Sequence, residues 1–475
     1  MEKGVMMQYF EWYLSKDPHL WVELKNKAGT LKEKGITAIW MPPAYKGIGG
    51  RDDVGYGVYD VYDLGEFNAK GTIATKYGTR QEYLDCIAAL HRAGLYVYSD
   101  IVLNHKMGAD GNEIVKAKEV NPANREEVIS DDETIEVSTL FTFPSRKDKY
   151  SSFHWNWEDF DGIDYDVLSK RNADFLFDSK KWESEVDDEN GNYDYLMGAD
   201  LDFKVPEVIQ ECKDWGLWYL ETCQNDGFRL DAVKHIKADF YKDWIETLRQ
   251  ETGKELFTVG EYWHGDLGHL IHYLEEIDYA FSLFDVPLHY NMYQASHSGG
   301  LYDMTTIFNN TLVTYSSDHA VTFVDNHDTQ PSQGLQSFID DWFKPMAYAL
   351  ILLREEGYPC VFYGDYYGIP HNNISSKKEM LDHMLMLRRD HMEGERHDYL
   401  DHPDVIGWSY EGNENLCDGF LVLMTNAHGG MKHMYMGENY KGKTMTDGEH
   451  TIIIGEDGCG DFVVNDGSLS LYEVQ

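Results

Sequence analysis

Basic residues are scarce in this chain: 41 lysines and arginines stand against 83 aspartates and glutamates in 475 residues, a formal net charge of −42. Charge of that sign repels nucleic acid backbones and anionic membranes over long range, so neither is expected as a partner, and the acidity reads first as solubility. Cysteine is thin as well. Cys86, Cys212, Cys223, Cys360, Cys417 and Cys459 form no CxxC pair, which argues against a zinc knuckle and a disulfide framework and leaves reduced packing thiols. Long apolar runs are missing: PMAYALILL at 345–353 lies between Lys344 and Arg354 and is far short of a membrane span. The N-terminal MEKGVMMQYFEWYL enters an apolar strand pattern without a charged leader ahead of a long apolar region, so a cytoplasmic location is expected. Internal repeats and low-complexity tracts are absent too.

What is present is enough apolar surface for a large core, 42% hydrophobic and 14% aromatic residues, arranged in alternating strand-like and helix-like segments. Eight strand patterns are legible: 5–12, 36–45, 95–105, 227–235, 256–263, 279–288, 320–328 and 358–366. Helical stretches such as KADFYKDWIETLRQETG and DWFKPMAYALILLREEG run up to a glycine, where a C-terminal cap is expected. Eight such units predict an α/β fold, a closed (β/α)8 TIM barrel. About 100 residues after the third strand pattern are too many for a βα loop and predict an inserted domain. Near the C-terminus the pattern turns alternating and Gly-punctuated, which predicts an antiparallel β-sandwich domain. The expected boundaries are 1–105 and 205–395 for the barrel, 106–204 for the insert and 396–475 for the C-terminal domain.

Four of the strand patterns end in polar clusters: Asp100, Asn104 and His105; Arg229, Asp231, Lys234 and His235; Glu261; and Asp325, Asn326, His327 and Asp328. In a barrel of this type the C-terminal strand ends meet at one mouth, so these clusters are expected to converge. Arg229 and Asp231 fall on one face of their strand, where the guanidinium can hold the carboxylate ionised as a nucleophile. Glu261, between Gly260 and the aromatic pair Tyr262 and Trp263, sits where apolar surroundings can raise its pKa for proton donation. One carboxylate at a strand end is more often a salt bridge or a cap; three of them beside His105 and His327 fit paired acid chemistry of the glycosidase kind better.

IVLNH, GFRLDAVKH, GEYW and FVDNHD, in that order, resemble the four signature regions of the α-amylase family of glycoside hydrolases, family 13, in its liquefying bacterial and cytoplasmic branch. YLMGADLDF at 195–203 and GYGVYD at 55–60 extend the resemblance to nearly the whole chain. The resemblance implies Asp231 as nucleophile, Glu261 as acid/base and Asp328 as the carboxylate that grips and distorts the sugar at the cleavage point. It also implies that Arg229 orients Asp231, that His105 and His327 hydrogen-bond that sugar, that Tyr56 stacks on it, and that Lys234 and His235 reach the leaving side. The activity it implies is endo-acting, retaining hydrolysis of internal α-1,4 bonds in starch, glycogen or maltodextrins, with an α-glucan as partner; oligomeric state is not legible.

For metal, hard oxygens at Asn104, Asp161, Asp194 and Asp200, with the carbonyl of His235, suit a calcium shell bridging insert and barrel. The resemblance implies one structural calcium there. It speaks against a second, because Lys204 puts a cation where some relatives place a ligand, and against a third, because Asn426 stands where some have an aspartate. The TQPSQG that follows FVDNHD lacks the arginine of chloride-activated relatives, so no chloride is expected. A glucanotransferase or an oligosaccharide-trimming enzyme would carry the same trio and stays open. So does a non-catalytic glucan-binding relative, although such chains usually lose one of the three acids. A barrel metal hydrolase would want paired histidines on the first strand, and VMMQYFEW has none.

Overall fold

The computed structural model describes residues 3–17, 19–413 and 417–475, and counts of elements refer to these. Eight parallel strands close a barrel: β1 (Met6–Gln8), β2 (Ala38–Met41), β3 (Tyr96–Ile101), β4 (Gly227–Leu230), β5 (Phe257–Gly260), β6 (Ser282–Phe284), β7 (Ala320–Phe323) and β8 (Tyr358–Phe362), with β8 pairing back onto β1. Each is buried almost throughout, which is why these segments read as apolar runs rather than alternating patterns. The strands are shorter than the sequence patterns. The fourth stops at Leu230, and the sixth stops at Phe284, where Asp285 caps a helix by accepting from Leu288 N at 3.0 Å.

Helices α1 (Leu20–Lys34), α2 (Arg80–Arg92), α3 (Pro206–Cys223), α4 (Ala238–Thr252), α5 (Leu267–Glu276), α6 (Val286–His297), α7 (Lys344–Leu352) and α8 (Lys378–Met386) occur along the barrel chain. The capping box of α2 pairs Thr79 N with Glu82 Oε2 at 2.8 Å. Gly253, at φ +66°, caps α4 with its N–H on Arg249 O, as the sequence suggests. The expectation for α7 needs correction. That helix ends at Leu352, well before Gly357, and Leu353 serves as its cap. Arg388 explains the early stop: its guanidinium takes the carbonyls of Leu352 at 2.7 Å and Arg354 at 2.8 Å, so they need no helical continuation.

The segment between β3 and α3 forms one antiparallel seven-stranded sheet, which opens with His105–Lys106 paired to Ala199–Leu201 and therefore starts where β3 ends. The chain beyond Arg396 forms the C-terminal domain, an antiparallel six-stranded sheet facing a two-stranded one, Gly430–Tyr435 with Cys459–Val464. Leu421, Leu423, Met434, Met445 and Phe462 pack between them, as a sandwich requires. All six cysteines are free. No helix of the described residues is long and apolar enough to cross a membrane.

Candidate active site

Arg229 is fully buried, and its place in β4 sets it opposite Asp100 of β3 and Val259 of β5. Its Nη1 donates to Asp100 Oδ1 at 2.8 Å and to Asp231 Oδ1 at 2.6 Å, while Nη2 donates to Glu261 Oε2. One guanidinium thus joins three strand ends. Asp231 continues the ladder by one bond, N to Ile101 O at 2.9 Å, and then Ala232 turns the chain sharply in the left-handed region at φ 48°. That conformation is costly for a residue with a Cβ, and here it ends the strand immediately after the carboxylate and leaves Asp231 at the mouth. Glu261 is fixed from both sides, its N–H on Leu230 O at 2.9 Å and its carbonyl accepting Val233 N at 3.1 Å.

The third acid, Asp328, follows β7 in a turn held by Asn326 Oδ1, which accepts from Asp328 N at 2.8 Å and Thr329 N at 2.9 Å. Its neighbour Asp325 turns away from the cleft and binds Lys344 and Thr329, so only part of the FVDNHD cluster reaches the mouth. Arg229 bonds three of the four carboxylates gathered here, Asp100, Asp231 and Glu261, and acts on Asp328 only through its charge, so the site is crowded with acid around one guanidinium. Burial pushes Glu261 up to about 7, with the charges of Asp231 and Asp100 adding and Arg229 offsetting part. Asp328 is pushed up by burial and then by Glu261. Asp100 rises to about 6, first from burial, with Asp231 adding to it.

Tyr56 donates its phenol to Asp100 Oδ2 at 2.9 Å, beside Trp40 Nε1 at 3.0 Å on the same oxygen. Its ring stacks on His327 at 5.0 Å between centroids. The amide Nε2 of Gln8 lies 2.9 Å from His327 Nδ1, which, with that amide as donor, assigns the imidazole proton to Nε2. This Nε2 is buried, has no hydrogen-bond partner, and lies 3.3 Å from Asp328 Oδ2. His105 stands differently: its Nε2 donates to Tyr56 O at 2.8 Å and its Nδ1 lies 3.2 Å from Asn104 Oδ1, so it steadies the tyrosine's loop. Lys234 reaches Glu189 Oε2 at 2.7 Å and Trp263 O at 3.1 Å, and His235 donates Nδ1–H to Tyr193 O at 2.6 Å.

Around these groups lies a cleft of about 690 Å³ whose walls include Tyr56, His105, Asp231, Lys234, His235, Glu261 and Asp328. Trp12, Glu189, Tyr193 and Tyr290 also line it and were not singled out from sequence. The strand-end rule applied to VMMQYFEW would have found Trp12. Glu189 and Tyr193 come from the insert and carry no local signal.

On the insert side, Asp161, Asp194 and Asp200 are buried with ligand oxygens all within 4.8 Å of one another, a group that could hold a metal ion. Asp161 Oδ1 and Asp200 Oδ2 are buried without partners. Burial raises all three carboxyls, and for Asp161 and Asp200 the charge of Asp194 is the next cause. Asn104 adjoins through Nδ2 to Asp200 Oδ1 at 3.3 Å.

The family model described as the catalytic domain of α-amylase matches residues 24–399. The α-amylase of Geobacillus stearothermophilus is 55% identical over 99% of this chain and 86% of its own length. The cytoplasmic α-amylase of Escherichia coli (strain K12) is 41% identical over 100% of this chain and 99% of its own. Among solved structures, an α-amylase from Geobacillus thermoleovorans complexed with acarbose superposes with a TM-score of 0.65 at 18% identity, covering 99% and 98% of the two chains, which shows a shared fold.

Proposed function

This chain belongs to the α-amylase family, and we propose that it hydrolyses internal α-1,4-glucosidic bonds of starch, glycogen or maltodextrins with retention of configuration at the anomeric carbon. The observation that carries the proposal is the Arg229 guanidinium held between Asp231 and Glu261 at the floor of an open cleft. Two carboxylates on the terminal nitrogens of one guanidinium favour the close spacing of about 5–5.5 Å that a retaining glycosidase uses.

In the first step Asp231 Oδ attacks the anomeric carbon while Glu261, protonated near neutrality because burial lifts it to about 7, gives its proton to the departing glycosidic oxygen. Arg229 holds Asp231 in position for that attack through Nη1 on Oδ1 at 2.6 Å. In the second step Glu261, now a carboxylate, takes a proton from the attacking water, and Asp231 leaves as the new C–O bond forms. Asp328 and the Nε2–H of His327, 3.3 Å apart, present an acceptor and a donor to the hydroxyls of the same sugar, and Tyr56 offers its ring face. Lys234 and Glu189 occupy the leaving side.

The donor set at Asp161, Asp194 and Asp200 fits calcium: hard carboxylate oxygens, two of them buried and orphaned, in a place where unrelieved repulsion is costly. Asn104 can join by turning its amide so that Oδ1 replaces Nδ2, and the carbonyl of His235 is the remaining expected ligand. Such an ion supplies positive charge and ties the insert to the end of β3; it takes no part in bond cleavage. Free thiols throughout support a reducing compartment, consistent with the cytoplasmic E. coli relative.

Proton NMR of maltoheptaose cleavage tests the reading. New α-anomeric reducing ends before mutarotation, from internal positions, are the expected result; β-anomers, or transfer without net hydrolysis, would refute it.

A further inference from the structure

Three residues past the insert strand Ala199–Leu201, Lys204 directs its ammonium into the acidic cluster. The Nζ lies 2.9 Å from Asp161 Oδ2, 3.1 Å from Asp202 Oδ1 and 3.7 Å from Glu183 Oε2. Asp161 is shared between two roles: Oδ2 receives Lys204, while Oδ1 is the buried oxygen without a partner in the group with Asp194 and Asp200. The other oxygen of Asp202 takes Lys180 at 2.7 Å. Lys204 thus takes up Asp161 Oδ2, Asp202 Oδ1 and Glu183, and the group that remains to face an ion is Asp161 Oδ1 with Asp194 and Asp200.

We propose that the Lys204 ammonium is a tethered cation standing in place of one metal ion in this cluster, so that the insert takes a single divalent cation and stays seated on the barrel when that ion is withdrawn. An ammonium is a compact charge with three donors, which suits three carboxylates arranged around it, and a covalently held cation cannot be stripped by a chelator. Its side chain comes from the segment that bonds Asn104 O and Asp159 O, through Leu201 N and Asp202 N at 3.0 Å each, so the charge is delivered at the seam between insert and β3. The ion count rests on the calcium reading above; the effect of the ammonium in the ion-free protein does not.

The test uses the full chain, purified with calcium, as parent, Lys204→Asp and Lys204→Met. Melting is followed by circular dichroism in chelator and in saturating calcium, and bound calcium per chain by equilibrium dialysis. Both variants are expected to melt several degrees below the parent in chelator. Saturating calcium should close the gap for Lys204→Asp, which binds one ion more than the parent, and leave it open for Lys204→Met. Variants that melt with the parent in chelator would overturn the proposal, as would a Lys204→Asp protein that neither gains an ion nor recovers. A parent that binds no calcium sinks the metal reading alone, because the gap between parent and Lys204→Met in chelator still decides the role of the ammonium.

Discussion

The phenol of Tyr56 donates to Asp100 Oδ2 at 2.9 Å, and the other oxygen of Asp100 receives Arg229, so the Tyr56 ring and the guanidinium that bonds Asp231 are braced by one buried carboxylate. Tyr56→Phe keeps the ring and removes the brace. We expect kcat/KM on maltoheptaose to fall by about tenfold, the scale of one hydrogen bond to a charged group, with the melting curve little changed. An unaltered kcat/KM would show that the ring face alone matters.

Removing either acid of the displacement should end turnover without unfolding the barrel. Glu261→Gln is expected to lower kcat by about 10²–10⁴-fold, and Asp231→Asn to lower it at least as far, because no covalent intermediate can form. Far-UV circular dichroism should match the parent in both. Near-normal turnover in either variant would overturn the role assignment.

The pH profile follows from Glu261. Its folded carboxyl is lifted from 4.5 to about 7, so the proton needed for leaving-group departure is lost as pH rises through about 7, and kcat/KM should show its alkaline limb there. The stability term has the same direction: between those values the folded state holds a proton the unfolded state has released, so this group's contribution fades as pH rises through the window. Glu261→Gln should flatten that part of the stability profile. An alkaline limb above pH 9 would mean another group controls protonation.

Ala232 sits at φ 48°, directly after the nucleophile. A β-branched side chain tolerates that region poorly, so Ala232→Val should cost about 1–2 kcal/mol and reduce kcat by displacing Asp231. Ala232→Gly should melt no lower than the parent. If Val and Gly behave alike in melting and turnover, the turn is not strained.

Calcium withdrawal should lower the melting temperature, and readdition should restore it in proportion to the logarithm of free calcium. Asp200→Asn should blunt that response, since its Oδ2 is one of the two orphaned buried oxygens. A melting curve indifferent to chelator would refute the metal reading.

Much of the architecture is legible locally. Buried parallel strands are written as apolar runs separated by helical periods, and a barrel places their polar C-terminal residues together, so the clusters holding Asp231, Glu261 and Asp328 were legible before any coordinates, while the choice of Asp328 over Asp325 came from the family resemblance. The strand boundaries were less legible, because a strand ends where hydrogen bonds stop: Leu230 ends β4 through the turn at Ala232, which carries no glycine to announce it. The early end of α7 depends on Arg388, more than thirty residues away.

By itself, then, the sequence determined which segments are strands and helices, which carboxylates stand at strand ends, and which family the motifs resemble, since each follows from local periodicity and residue order. Only the tertiary structure decided that one guanidinium joins Asp100, Asp231 and Glu261, that Asp325 binds Lys344 instead of lining the cleft, and that Lys204 is captured by Asp161, Asp202 and Glu183. Most of those pairings cross tens of residues, where charge and burial depend on how distant segments meet, and no local pattern encodes that distance.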